Sequence, residues 1–338
     1  MNLVIRLPDD LRERLLCFPA LQVLVKSLRE QLEKENEELE EDQWKDLKLH
    51  LIAHKNNIEV LNLAPFSAFY HELEDEDLKS VFTVHRAVKN MKIDLVDTFI
   101  TFSKSFIDAS IGKSLKAKNR IGFSISKNIL FLNKKVTLLK GRHHSEQYFE
   151  LARPILEKMP EELSRGYSRD LEPLTGDWRE NPYNIVNLKA NDDGEVEGLW
   201  EEFFSLIENE KFYLVCDGLP LERQKEALTR FIKKQSKKNT YYVFELENLI
   251  EFGKLAAYAQ TFISYDSGLV HLAAYCGAHI HYLQKEGLDS TGPIHFLGDI
   301  RYFNLNEPFY RENNEIALHK IFDELIGFLD KKAKDREE

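Results

Sequence analysis

From residue 185 onward the chain makes one change of pattern four times over, from a short strand-like run to a longer helical one. The strand runs are 185–190 (IVNLKA), 211–217 (KFYLVCD), 241–246 (YYVFEL), 261–266 (TFISYD) and 279–283 (HIHYL). Helical patterns fill 196–208, 221–234, 247–258 and 268–277 between them. Strands that alternate with helices all point the same way, so this half predicts a parallel sheet with helices on both faces. In such a sheet ligands bind beyond the carboxyl ends of the strands, where unpaired N–H groups and the helix dipole favour an anion.

The first half is less regular but of the same kind. Strand candidates lie at 2–7, 47–52, 58–63, 96–102 and 120–124. Apolar residues at helical spacing (Leu15, Phe18, Leu21, Val25, Leu28 and Leu32) predict a helix over 15–32, and 145–159 is amphipathic. The acidic run 33–46 reads as a solvated helix end or loop. Residues 166–184 fall in a Pro-, Gly- and polar-rich stretch without periodicity, the best linker in the chain. A length of 338 residues exceeds one ordinary core. The expected organisation is therefore a Rossmann-like domain over 1–165, a linker, and a second such domain over 185–338 closed by a helix at 315–335. Two such halves would face a cleft.

Composition narrows the function classes. A net charge of −11 argues against nucleic acid as a partner of the whole surface. No apolar run is long enough to span a bilayer, and MNLVIRLPDD resembles no signal peptide, so a cytoplasmic location is expected. Cys17, Cys216 and Cys276 lie far apart in apolar stretches, as buried thiols of a reducing compartment do. His279 and His281 share a strand face, with His295 not far along the chain. No carboxylate or Cys has matching metal-ligand spacing, so their role reads as structural.

Two segments carry chemistry. In YDSGLVHLAA, Asp266, Ser267 and Gly268 stand where a strand hands over to a helix, and His271 lies one turn in. A phosphate could use the helix N–H groups and the Ser267 hydroxyl; the plain alternative is that Asp266 or Ser267 only caps the helix. Between Lys104 and Arg142 there are ten Lys and Arg with Asp108 as the one acid. That basic segment suits an anionic acceptor or an anionic membrane face, unless acids elsewhere in the fold balance it.

The stretch from Glu247 to Leu283 resembles the C-terminal signature of glycosyltransferase family 9, the ADP-heptose:lipopolysaccharide heptosyltransferases, with its D-[TS]-G-x-x-H-x-A-A motif. STGPIHFLG (290–298), RIGFS (120–124) and IRL…LLCFPALQVL (5–24) are similar to further family pieces in the right order. The resemblance implies an α/β fold of GT-B type. It implies an inverting transfer of a sugar, a heptose above all, from a nucleotide-diphosphate sugar to a saccharide or lipid-linked saccharide in cell-envelope synthesis. By it Asp266, Ser267, Gly268 and Leu269 hold the donor diphosphate beside His271, and Glu222 binds ribose hydroxyls. Glu13 stands where the family has its basic Asp, with Asp9 and Asp10 adjacent and Arg12 in place of a Gly. Lys113, Lys116, Lys118 and Arg120 would receive an anionic saccharide or glycolipid acceptor, with peripheral contact to the inner membrane. No metal or other cofactor is expected, since a helix end can stabilise the leaving diphosphate.

Three departures keep a second reading open. Besides the changed first loop, Trp200 lacks the family's preceding lysine, leaving Lys189 as the nearest cation. The loop after the last strand reads QKEGL, with Lys285 in place of the family's phosphate contact. A family member that has lost catalysis and serves as a binding or scaffold protein would also carry such changes.

Overall fold

A computed structural model describes the chain except residues 41–42, 57, 65, 157–170, 172–180, 197, 236, 285–290, 295–298, 314 and 338. The chain divides into two compact units, Met1–Arg165 and Gly166–Glu338. Most of the expected linker, 166–184, lies outside the described residues.

The first unit runs β1 (Asn2–Arg6), α1 (Leu11–Asn36), β2 (Lys48–His54), β3 (Phe69–Leu73), α2 (Val81–Asn90), β4 (Thr98–Thr101), α3 (Phe106–Ser114), β5 (Asn119–Phe123), β6 (Lys134–Val136) and α4 (His144–Ala152). Its six strands are parallel in the order β3-β2-β1-β4-β5-β6. The second unit runs β7 (Asn184–Asn187), α5 (Leu199–Ser205), β8 (Lys211–Val215), α6 (Leu221–Lys234), β9 (Thr240–Val243), α7 (Leu249–Ala257), β10 (Thr261–Tyr265), α8 (Gly268–Tyr275), β11 (Ile280–Gln284), β12 (Ile300–Asn304) and α9 (Leu318–Glu337). Read from β9, its order is β9-β8-β7-β10-β11-β12, the same path through a parallel sheet. In both sheets the path reverses once, between β1 and β4 and between β7 and β10. A doubly wound sheet opens a crevice at its carboxyl edge at that point.

The central strands β1, β4, β7 and β10 are almost wholly buried, with apolar residues at their middles and polar ones toward their ends. In the first unit Val4, Ile52, Phe99 and Ile111 share one core layer. In the second an aromatic cluster of Trp200, Phe203, Phe204, Phe212 and Phe322 fills the space under α5 and α9. Gly122, in RIGFS, is a packing glycine: an added Cβ would come within 2.7 Å of Thr101 Cγ2.

The sequence reading needs correction in places. Residues 58–63 form a 3-10 helix (Ile58–Leu63) instead of a strand, with Val60, Leu61 and Leu63 buried. A short apolar run does not distinguish the two. The missed strands β3, β6 and β12 lie outside the sheet centres, where polar and aromatic residues replace aliphatic ones. The missed α2 has a capping box, in which Ser80 and Thr83 satisfy each other's backbone N–H. α1 starts at Leu11, before its apolar periodicity, because Asp10 caps it by accepting from Glu13 N at 3.1 Å. Among the described residues no helix is long and apolar enough to cross a membrane.

Candidate functional site

The second unit's switch point opens into a cavity of about 670 Å³ at the carboxyl ends of β7, β8, β10 and β11. Asn187, the last residue of β7, ties the surrounding loops together. Its Nδ2 donates to Asp217 Oδ1 (3.1 Å), Ser264 Oγ (3.0 Å) and Ser267 Oγ (3.3 Å), and its Oδ1 accepts from Asp217 N (3.3 Å). Ser267 caps α8 by accepting from Leu269 N at 3.2 Å, and it also lines the cavity, so the cap does not take it away from the opening. Asp266 lines the cavity and accepts from Tyr282 Oη at 2.8 Å. Tyr282 lies on the adjacent strand β11, so a tyrosine fixes the carboxylate without neutralising it.

The other donor-site expectations sort themselves around this cavity. Its described lining includes Lys189 but not Gly268, Leu269, His271 or Glu222. His271 is 2% exposed, inside α8. Glu222 lies exposed in the first turn of α6. Asp192 and Asp217 are the lining carboxylates on that side, and Asp217 lies just past β8 and next to Gly218, whose φ of +85° only glycine adopts freely. The end of the second strand is where a doubly wound sheet places an acid against ribose hydroxyls. Lys285 lies outside the described residues, while its neighbour Gln284 lines the cavity. Trp200 is wholly buried among Phe203, Phe204, Phe322 and Tyr265 and is not part of the cavity's described lining. His281 is likewise internal: Thr261 Oγ1 lies 2.6 Å from its Nδ1, and burial, with Arg301 and His279 near, lowers its pKa to about 3.

The first unit's switch point is filled with charge. Arg6, the last residue of β1, is fully buried and donates to Asp108 Oδ1 (2.8 Å), Asp9 Oδ1 (2.7 Å) and Leu7 O (2.6 Å). Arg14, also fully buried, donates to the carbonyls of Pro8 (3.1 Å), Asp9 (3.4 Å) and Asn56 (3.0 Å). Two guanidinium groups thus brace the loop 7–10 from within. Residue patterns did not single them out, although IRLPDDLRER shows an arginine on each side of the loop. Glu13 follows in the first turn of α1. One carboxylate oxygen accepts from His144 Nδ1 at 2.7 Å and the other from the Tyr148 hydroxyl. Burial alone would raise the Glu13 carboxyl, but the bonds from His144 and Tyr148, with Lys104 near, hold it down to about 2. Burial, with Cys17 and Glu13 beside it, pushes the Tyr148 hydroxyl far up. Asp10 is occupied as the α1 cap.

The basic acceptor set does not join this group. Lys113 lies in the last turn of α3 and Lys116 just past it, at the amino edge of the sheet, while Lys118 directly precedes β5 and Arg120 is its second residue. Glu13 lies at the carboxyl edge. Arg120 donates to the carbonyls of Phe131 and Ala117, both at 2.8 Å, and so serves the fold. Lys118 pairs with Asp97 at 2.7 Å, and Lys113 lies over the Phe131 ring. Lys116 and Lys118 line a separate cavity of about 350 Å³ with Lys89 and Lys92.

The sequence profile of glycosyltransferase family 9 (heptosyltransferase) matches residues 83–279, more than half of the chain. The chain belongs to glycosyltransferase family 9. Solved structures agree on the fold. E. coli ADP-heptose LPS heptosyltransferase II superposes with a TM-score of 0.69 at 14% identity, over 98% of this chain and 100% of that one. A family 9 glycosyltransferase from Veillonella parvula gives 0.65 at 15% identity, over 96% and 90%. E. coli heptosyltransferase WaaC, solved with ADP-2-deoxy-2-fluoro heptose, gives 0.64 at 16% identity, over 98% and 100%. No curated protein matches the chain by sequence. The fold is thus of GT-B type, with two Rossmann-like domains.

Proposed function

We propose that this family 9 protein transfers a sugar from a nucleotide-diphosphate donor to a saccharide hydroxyl with inversion, and that the donor is ADP-heptose and the acceptor a lipopolysaccharide core. The observation that carries this is the Asp266–Ser267 corner on the second unit's cavity, at the point where the sheet's path reverses. The donor's diphosphate would lie at the start of α8, near Ser267 and Lys189, where N–H dipoles favour anionic charge. Asp217 would accept from the ribose hydroxyls, the part expected of Glu222. Charge that builds on the departing diphosphate is then met by groups already in place, and no metal is needed for that. The ADP-bound heptosyltransferase relatives support the choice of nucleotide.

Thermal shift with ADP, UDP and GDP tests the reading, because a ligand at 100 times its Kd adds about 2.7 kcal/mol to the folded state. ADP is expected to stabilise most, and Asp266→Asn to weaken its binding without unfolding the protein. A protein stabilised by none of the three is not a nucleotide-sugar enzyme and fits the scaffold reading instead.

A further inference from the structure

Any transfer to a hydroxyl needs a group that takes the hydroxyl's proton, and the carboxylates of the first loop and turn, Asp9, Asp10 and Glu13, each already hold a partner. Glu13 has one oxygen on His144 Nδ1 and the other on the Tyr148 hydroxyl. A carboxylate that accepts two hydrogen bonds is stabilised as the anion and is a poor base. Asp9 is held by the buried Arg6, and Asp10 caps α1. His144 differs from all of these. It is the first residue of α4, which packs along α1, and its side chain is 19% exposed. A carboxylate oxygen only accepts, so Nδ1 must carry the proton in their bond. In the neutral ring the lone pair then lies on Nε2. Among the described residues, no hydrogen bond occupies Nε2.

We propose that His144 is the general base of the transfer and that Glu13 is a positioning residue, which fixes the ring's tautomer and orientation through Nδ1–H. Tyr148 holds Glu13 from α4, while Lys104 and Cys17 are the other titratable groups near the carboxylate. In the step, the acceptor oxygen bonds to the anomeric carbon as that carbon's bond to the diphosphate oxygen breaks, the electron pair leaving with the diphosphate. The acceptor O–H bond breaks and its proton moves to His144 Nε2. The imidazolium so formed keeps its Nδ1–H on the Glu13 carboxylate and later returns the proton to solvent. A carboxylate that orients an imidazole in this way is a general device of acid–base catalysis.

This role rests on the glycosyl-transfer reading, and one experiment separates the two. Wild type, His144→Asn, His144→Ala and Glu13→Gln are assayed for transfer from ADP-heptose to heptose-free lipopolysaccharide, with ADP affinity measured alongside. His144→Asn can still donate to Glu13, so it preserves a merely structural contact. The expected result is a fall in kcat of about 10²–10⁴-fold in both His144 variants, with ADP affinity within about twofold of wild type by the same reasoning. Added imidazole is expected to restore part of the rate to His144→Ala. Glu13→Gln should lose less. Nitrogen-15 NMR of the free protein should show His144 as the Nδ1–H tautomer, a signature lost in Glu13→Gln. Full turnover in His144→Asn, with Glu13→Gln inactive, overturns the proposal and makes Glu13 the base. An Nε2–H tautomer overturns it as well. Wild-type protein that transfers nothing overturns the proposed function, and the role of His144 falls with it.

Discussion

The two sheets share one strand path and differ in what stands at the turning point. In the first unit, Arg6 and Arg14 are fully buried and hold the loop 7–10 by guanidinium bonds to Asp9, Asp108 and backbone carbonyls. In the second, the uncharged Asn187 gathers Asp217, Ser264 and Ser267. Topology makes the crevice in both, but the chemistry of the tie decides what the crevice can do. A charged brace must be desolvated and paired, so it sits in filled space and makes a stiff wall. An amide tie costs little to bury and leaves Lys189, Asp217 and Asp266 on a cavity of about 670 Å³. On the proposed function, the first unit positions a proton acceptor and the second holds the donor.

The largest effect should come from the charged brace. Arg6→Met leaves Asp108, whose side chain is 3% exposed, as an unpaired buried carboxylate. Losing one partner of such a pair typically costs about 3–5 kcal/mol, measurable by urea unfolding. An effect below about 1 kcal/mol would show that Asp108 finds water and that the two ties are energetically alike.

Next is the acid response of the first unit. The Glu13 carboxyl is held below its ordinary 4.5, at about 2, so folding favours its ionised form. Its contribution, on the order of 2 kcal/mol, is fully present above about pH 4.5 and is lost as the pH falls through about 2. In Glu13→Gln the stability deficit should therefore shrink as the pH is lowered across that window. A deficit independent of pH would assign the effect to packing.

Asn187→Ala should act on the second unit in the opposite proportion, with roughly 1 kcal/mol off stability for lost hydrogen bonds and about tenfold weaker ADP binding if that much is also lost from the bound state. Calorimetry with ADP alongside thermal unfolding distinguishes this from the Arg6 case. The smallest effect belongs to Lys118→Ala. Its ion pair with Asp97 is exposed at the sheet's amino edge, so about 0–1 kcal/mol is expected, with ADP affinity unchanged. A marked loss of ADP affinity would show that the amino edge communicates with the donor site.

The sequence by itself determined the parallel sheet of the second unit, because buried central strands and amphipathic helices have distinct periods that can be read locally. It also brought out the Asp266–Ser267 corner, since a strand, a capping residue and a glycine in succession are a local pattern. The edge strands β3 and β6 were hidden because sheet edges do not require aliphatic runs. Only tertiary structure decided the rest of the site. Asn187 joins Ser267 across 80 positions of sequence, and Glu13 meets His144 across 131. No local period records such a meeting, because it depends on which strand ends the fold sets side by side. The lysines of the 104–142 segment show the converse. Lys104 stays near Glu13, yet α3 and β5 carry Lys113, Lys116 and Lys118 to the opposite edge, since a helix that returns between parallel strands must end where the next strand begins.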